Sequence, residues 1–442
     1  MLLIYRIAAR YRSQMLLSEA LKAYVAELEE TVNAPLAPPP MLPGVLPAPI
    51  IRYRPPHTQV AKHDARGDAR QLVVEQLTTK HFSPVDCQVI AQAFVDFYAD
   101  VLHTNYVKYE DGVYDTLDMA ASFCKRIGDM VGLFVRKIAA GELTLPDVPA
   151  GWSSWQSCAH AERNKRPKME DRHIAAHDLS LWKEASPEPE EAWAANDNKP
   201  ALFGVFDGHG GAEVASYATA HVTSAFLEAG GRADDATMKR MFELMDTRIS
   251  LRCERERWRS GATAVVAAVD KKNMALAWCG DSAMLVFRSS MVERVSTCHS
   301  PSDPSEARRV EEAGGCIMSV QGELRVNAVL NVTRSLGDVQ GRPMIISVPD
   351  TTVVERGPGD YGLILACDGV SDELDDAEFY ENVKAFCTSR PLTDWPHLAA
   401  HLCAVARSVG SSDNLTVVFV FLRPPADLWA LFGPDPISDD EQ

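Results

Sequence analysis

LFGVFDGHGG, residues 202 to 211, reads as a buried strand that stops at Asp207 and turns through a glycine-rich loop carrying His209. Leu202, Phe203, Val205 and Phe206 are a short apolar run of strand formers. Gly208, Gly210 and Gly211 permit positive φ and close backbone approach. A carboxylate, a carbonyl and an imidazole can therefore converge on one small ligand. An Asp-Gly step after an apolar run is equally the mark of a plain hairpin turn, so the reading turns on whether other carboxylates share this setting.

Four other segments do. RNKRPKMEDRH (163–173) supplies Glu170 and Asp171 at the start of a strand, with Arg166 just upstream. ALAWCGDS (275–282) ends an apolar strand at Asp281, and GLILACDGVSD (362–372) ends another at Asp368, with Asp372 four residues on. GSSDNLTVVFV (410–420) places Asp413 just ahead of a last strand. Each acid alone is an ordinary turn residue; five such segments together point to one site. Hard oxygen ligands without a His or Cys cluster select Mg²⁺ or Mn²⁺ over zinc. Carboxylates crowded together repel one another unless cations are present, so the site implies bound metal.

Working outward, strands are expected at Trp155–His160, Asp171–Ala176, Leu202–Asp207, Ala262–Val269, Met274–Cys279, Met284–Phe287, Gly362–Ala366 and Leu415–Leu422. Helices are expected at Ala212–Glu228, Ala236–Arg257, Ser305–Ala313, Ala377–Ser389 and His397–Val409. Bunched strands between paired helices indicate an α+β class. Upstream, residues 66–141 read as a helical module. Ser83-Pro84-Val85-Asp86 opens a helix running towards His103, and a second apolar stripe runs from Thr116 to a stop at Gly141. LPDVPAG (145–151) marks the boundary between a 1–150 N-terminal interaction region and a 151–424 catalytic domain. The proline-rich stretch 33–57 suits a spacer or a docking peptide, residues 184–200 read as a polar loop, and residues 425–442 read as an acidic, disordered tail.

The chain has 442 residues, 46% hydrophobic and 24% charged, which is ample for a sizeable core. A net charge of -17 excludes a nucleic-acid backbone as partner. No stretch is long and apolar enough to span a membrane. The N-terminal Arg6, Arg10 and Arg12 suit a mitochondrial presequence, but Glu19, Glu27, Glu29 and Glu30 follow closely and favour an ordinary helix. Ten scattered cysteines with no CxxC pair read as buried free thiols in a reducing, cytosolic compartment.

In order and spacing, R-x-x-M-E-D, F-D-G-H-G-G, S-G-A-T-A, G-D-S, L-N-V-T-R-S-L-G-D, A-C-D-G-V-S-D and G-S-S-D-N-L-T-V resemble the metal-dependent serine/threonine protein phosphatases of the PPM (type 2C) family. The wording NKRPKMEDRH, DVQGRPMI and FLRPPADLW is similar to the branch holding the calcium/calmodulin-dependent kinase phosphatases and the nematode feminisation phosphatases of sex determination. The resemblance implies a β-sandwich of two antiparallel sheets flanked by helices, with an N-terminal all-helical domain. It implies that Asp207 bridges two metal ions, that Glu170 and the Gly208 carbonyl complete one site, and that Asp368 and Asp413 serve the other. It further implies that Asp171 orients the attacking water, that Asp281 and Asp372 hold a weaker third ion, that Arg166 clamps the substrate phosphate, and that His209 protonates the leaving oxygen. Phosphoprotein substrates follow, together with association with feminisation-pathway proteins and a cullin-based ubiquitin ligase. A binding scaffold within that ligase complex is the alternative function, and a metal phosphodiesterase acting on nucleotides shares the carboxylates but not the ordered motifs. Thr333, Ser371, Cys298 and Ala328 depart from the usual family residues, which bears on substrate preference.

Overall fold

The structure, a computed structural model, describes residues 17, 19–26, 28–29, 64–80, 82–102, 106–108, 115–117, 120–145, 155–179, 182 and 200–432. The proline-rich stretch 33–57 and most of the 184–200 loop lie outside the described residues. The chain forms two compact units, Met1–Val148 and Pro149–Gln442.

In the first unit, helices Ala65–Thr79, Pro84–Phe97 and Ala120–Ala139 surround a core containing Val73, Phe94, Ile127 and Val131. Ser83 caps the second helix by accepting from the Asp86 backbone N–H at 3.1 Å, as its sequence predicts. That helix ends at Phe97, and after a break at Tyr98 a further helical turn, Ala99–Leu102, carries the chain on towards His103. The stripe expected to begin at Thr116 becomes helical only at Ala120, because Asp115–Leu117 pairs antiparallel with Tyr106–Lys108. Among its described residues the unit is helical apart from this two-stranded ribbon.

The second unit contains ten strands in two five-stranded antiparallel sheets: β1 (Gln156–Glu162), β2 (Arg172–Ala176), β3 (Ala201–Phe206), β4 (Ala264–Val269), β5 (Asn273–Cys279), β6 (Ala283–Arg288), β7 (Val292–Arg294), β8 (Asp350–Glu355), β9 (Asp360–Ala366) and β10 (Leu415–Phe421). One sheet runs β7-β6-β9-β10-β1 and the other β8-β5-β4-β3-β2. The two-residue period of a strand explains the layering. Phe203 and Val205 of β3 and Val265 and Ala267 of β4 face Val286, Leu365 and Val418 of the opposite sheet. Leu202, Phe206, Val266 and Ala268 point the other way, against helices Glu213–Glu228 and Asp235–Glu256. Both faces of β3 and β4 are thus buried, which is why they read as unbroken apolar runs. Helices Asp376–Ser389 and Leu398–Val409 add to the core on the side of the first sheet.

Three features differ from the sequence expectation. β8 is half-exposed at a sheet edge and carries no apolar run. A hairpin, Ile317–Val320 with Glu323–Val326, is too short and polar to signal itself. The segment expected to be an acidic tail from residue 425 begins instead as helix Pro425–Phe432, whose Leu428 is buried and whose Phe432 ring meets Phe287 edge-on at 6.1 Å.

Candidate metal centre

Antiparallel pairing fixes which strand ends coincide. Arg172 lies opposite Phe206, Ala264 opposite Cys279, Ala283 opposite Ala366 and Leu415 opposite Glu162. Asp171, Asp207, Asp281, Asp368 and Asp413 therefore leave the strands at one end of the sandwich, although they are up to some 240 residues apart in the chain.

Asp207 and Asp368 stand closest, with ligand atoms within 4.8 Å of one another and of the Cys367 sulfur. Burial, then the charges of Asp368 and Asp171, push the Asp207 carboxyl well above its ordinary range. Burial raises Asp171 to about 6, against a hydrogen bond from Thr416 Oγ1 at 2.7 Å to its Oδ2. Its other oxygen, Oδ1, is buried without a hydrogen-bond donor. Burial and the Asp368 charge bring Asp281 to about 7, and the same two causes bring Asp372 to about 6. Mutually repelling carboxylates and an orphaned buried oxygen fit hard divalent cations, whose charge reverses the repulsion. Cys367 does not make the site a soft one. Its thiol accepts from the Thr416 backbone N–H at 3.1 Å and donates to the Asn414 carbonyl at 3.5 Å, and burial holds it protonated.

The backbone around these acids is too tight for side chains. A Cβ on Gly208 would lie 2.5 Å from the Glu170 carbonyl oxygen, and one on Gly369 would lie 2.1 Å from that of Asn414. The Gly208 and Glu170 backbones are thereby in contact. The loop before β2 is held by one residue, Asn414, whose side chain accepts from Glu170 N–H at 2.8 Å and donates to the Arg163 and Lys168 carbonyls at 3.0 and 2.9 Å. Arg166, expected at the substrate phosphate, is exposed and forms an ion pair with Asp413. Arg and acid thus share the rim of the site.

His209 Nε2 lies 2.6 Å from Asp338 Oδ2. The carboxylate is buried, and Ser335 Oγ also donates to it. Burial lowers the imidazole pKa, but Asp338, Asp281 and Glu170 outweigh that and hold it above the ordinary value of 6.5. Nδ1 has no hydrogen-bond partner among the described residues.

Asp338 and Asn414 both lie inside quoted motifs, yet neither is among the expected site residues. Asp338 is 129 positions from His209, so no spacing rule could pair them. Of the departures noted in sequence, Thr333 is fully buried and its hydroxyl donates to Glu306 at 2.6 Å, a structural contact. Ala328 follows Asn327 in a turn where both have positive φ.

The Protein phosphatase 2C family profile matches residues 155–415. Protein phosphatase fem-2 of Caenorhabditis elegans is 35% identical over 98% of this chain and 95% of its own length. Protein phosphatase 1F of Homo sapiens is 32% identical over 71% of this chain and 66% of its own length. Among solved structures, a C. elegans sex determining protein superposes with a TM-score of 0.78 at 32% identity, covering 95% of this chain and 97% of that one. A serine-threonine phosphatase 2C from Toxoplasma gondii, 19% identical, covers 62% of this chain and 96% of that one with a TM-score of 0.51, and shares the fold.

Proposed function

The chain belongs to the protein phosphatase 2C family and is a protein serine/threonine phosphatase; on that premise we propose how its own residues divide the work. Bound Mg²⁺ or Mn²⁺ would supply the positive charge that lowers the pKa of water and neutralises phosphate oxygens. Asp207, Glu170 and the Gly208 carbonyl would hold one ion, Asp207, Asp368 and Asp413 the second, and Asp281 with Asp372 a weaker third. Asp171, anchored through Oδ2 by Thr416, turns its unpartnered Oδ1 to the attacking water and accepts a proton from it. The Arg166 guanidinium exchanges Asp413 for two phosphate oxygens, a planar fork suited to either partner. His209, kept protonated by Asp338, gives its proton to the serine or threonine oxygen as the P–O bond breaks, leaving alcohol and inorganic phosphate.

One observation carries this reading: Asp171, Asp207, Asp281 and Asp368, from distant strand ends, meet at one mouth with their carboxyls pushed up by burial and by neighbouring carboxylates. The test is phosphate release from a phosphothreonine peptide with excess Mn²⁺, EDTA and an Asp207→Asn variant. Activity that survives chelation or the substitution removes the reading.

The likeness to the C. elegans relatives spans residues 1–148 as well, which the family profile does not cover. On that ground we place the protein in sex determination and assign partner recruitment, including the feminisation proteins and cullin-based ligase implied by the resemblance, to the first unit. A pull-down with the full chain and with residues 149–442 tests it: equal capture by both overturns the assignment. All ten cysteines are unpaired, which supports a cytoplasmic setting. No helix among the described residues is long and apolar enough to cross a membrane.

A further inference from the structure

The loop between β1 and β2 carries four cations in nine residues, Arg163, Lys165, Arg166 and Lys168, in a chain whose net charge is -17. Arg163, Lys165, Arg166 and Lys168 are all exposed. Arg166 takes Asp413; Arg163 spends one guanidinium N–H on the Arg166 carbonyl at 2.6 Å; Lys165 and Lys168 have no ion-pair partner among the described residues. An isolated lysine on a surface says little. These two differ because their backbone is fixed. Asn414 clamps the Arg163 and Lys168 carbonyls, and Asn164 Nδ2 donates to the Ser411 carbonyl at 2.8 Å, tying the loop to the segment that carries Asp413. The loop then runs directly into Glu170 and Asp171. Positive charge is thus held rigidly at the lip of the metal centre, two positions before Glu170 and one on either side of the Arg166-Pro167 step.

We propose that Lys165 and Lys168 form an anion-selecting lip that favours phosphoproteins with acidic side chains, or a second phosphate, close to the phosphoserine or phosphothreonine. The proposal rests on the phosphatase reading and adds a substrate class to it. The phosphate group itself is bound at the metal centre, so discrimination among phosphopeptides must come from what flanks it. A carboxylate a few residues along an extended peptide lies within about 10 Å of the phosphate, comparable to the Debye length of about 8 Å at physiological salt. Each exposed pair changes affinity by only about 1.4- to 5-fold, so two lysines together give a preference of roughly tenfold. That preference resides in charge, and it weakens as salt rises.

The test uses the full-length protein with excess Mn²⁺ and three phosphothreonine peptides that share a core and differ only in acidic, neutral or basic flanks. The expected kcat/KM for the acidic peptide is roughly tenfold that for the neutral one at low salt, and the ratio shrinks in high salt. Lys165→Ala/Lys168→Ala brings the ratio close to one, and Lys165→Glu/Lys168→Glu inverts the order of acidic and basic peptides. Each ratio is taken within a single protein preparation, so partial loss of folded material does not alter it. Wild-type turnover without preference, or a preference that persists unchanged in both double variants, overturns the proposal while leaving the phosphatase reading intact. Absence of turnover on all three peptides removes the phosphatase reading, and this proposal with it.

Discussion

Replacing Asp338 by Asn is the sharpest probe of the proton donor. The substitution keeps the shape of the side chain that meets His209 Nε2 at 2.6 Å, and removes its charge. Asp338 is buried, so its charge-assisted hydrogen bond is worth about 1.5–3 kcal/mol. Its loss removes that much stabilisation of the protonated imidazole, so the His209 pKa moves down. Burial is the largest single influence on this imidazole and acts in the same downward direction, with Asp281 and Glu170 left to oppose it. The direction of the effect follows. An acid catalyst is competent only while protonated, so the high-pH limb of the kcat profile moves to lower pH. Above both pKa values, kcat falls about ten- to a hundredfold, with a smaller change in KM. The assay is phosphate release from a phosphothreonine peptide at saturating Mn²⁺ across roughly pH 5.5–9, beside His209→Ala, which should lack the limb altogether. A high-pH limb that stays in place in Asp338→Asn refutes the reasoning, because the limb would then belong to another group.

Three further outcomes are expected. Gly369→Ala puts a Cβ 2.1 Å from the Asn414 carbonyl oxygen; it should cost about 1–3 kcal/mol in denaturant unfolding and weaken Mn²⁺ activation, since Asp413 and Asn414 must move. Ala328→Gly relieves a left-handed alanine at φ 62° in an exposed turn and should stabilise the protein by up to about 1 kcal/mol, read as a rise in thermal midpoint; an unchanged midpoint contradicts it. Glu306 is pushed up by burial, but hydrogen bonds from Arg334, Arg309 and Thr333 prevail and bring its pKa to about 2 from 4.5. Its ionised form therefore contributes stability that is fully present above pH 4.5 and lost as pH falls through about 2, and Glu306→Gln should flatten the stability–pH curve in that window.

The strands that lie at the centre of each sheet were legible in the sequence because both their faces are covered, so that β3, β4 and β9 read as apolar runs. Edge strand β8 and the hairpin Ile317–Val326 were not, because one face meets water and hydrophobic periodicity fades. Helix Pro425–Phe432 was hidden for a related reason: two prolines and an acidic stretch beyond it mask a short segment stabilised by tertiary contacts of Leu428 and Phe432.

For the site, the residue types pointed to the chemistry: carboxylates at strand ends beside glycines, without a His or Cys cluster, favour hard cations whatever their arrangement. What tertiary structure decided was mutual distance. Asp207 and Asp368 become neighbours only when the sheets pack, and Asp338 reaches His209 only because the strand Gly261–Ala262 pairs on one side with Gly208–His209 and on the other with Leu336–Gly337. A sequence records which groups are present in order along a line; electrostatic coupling falls with separation in space, and folding alone sets that separation.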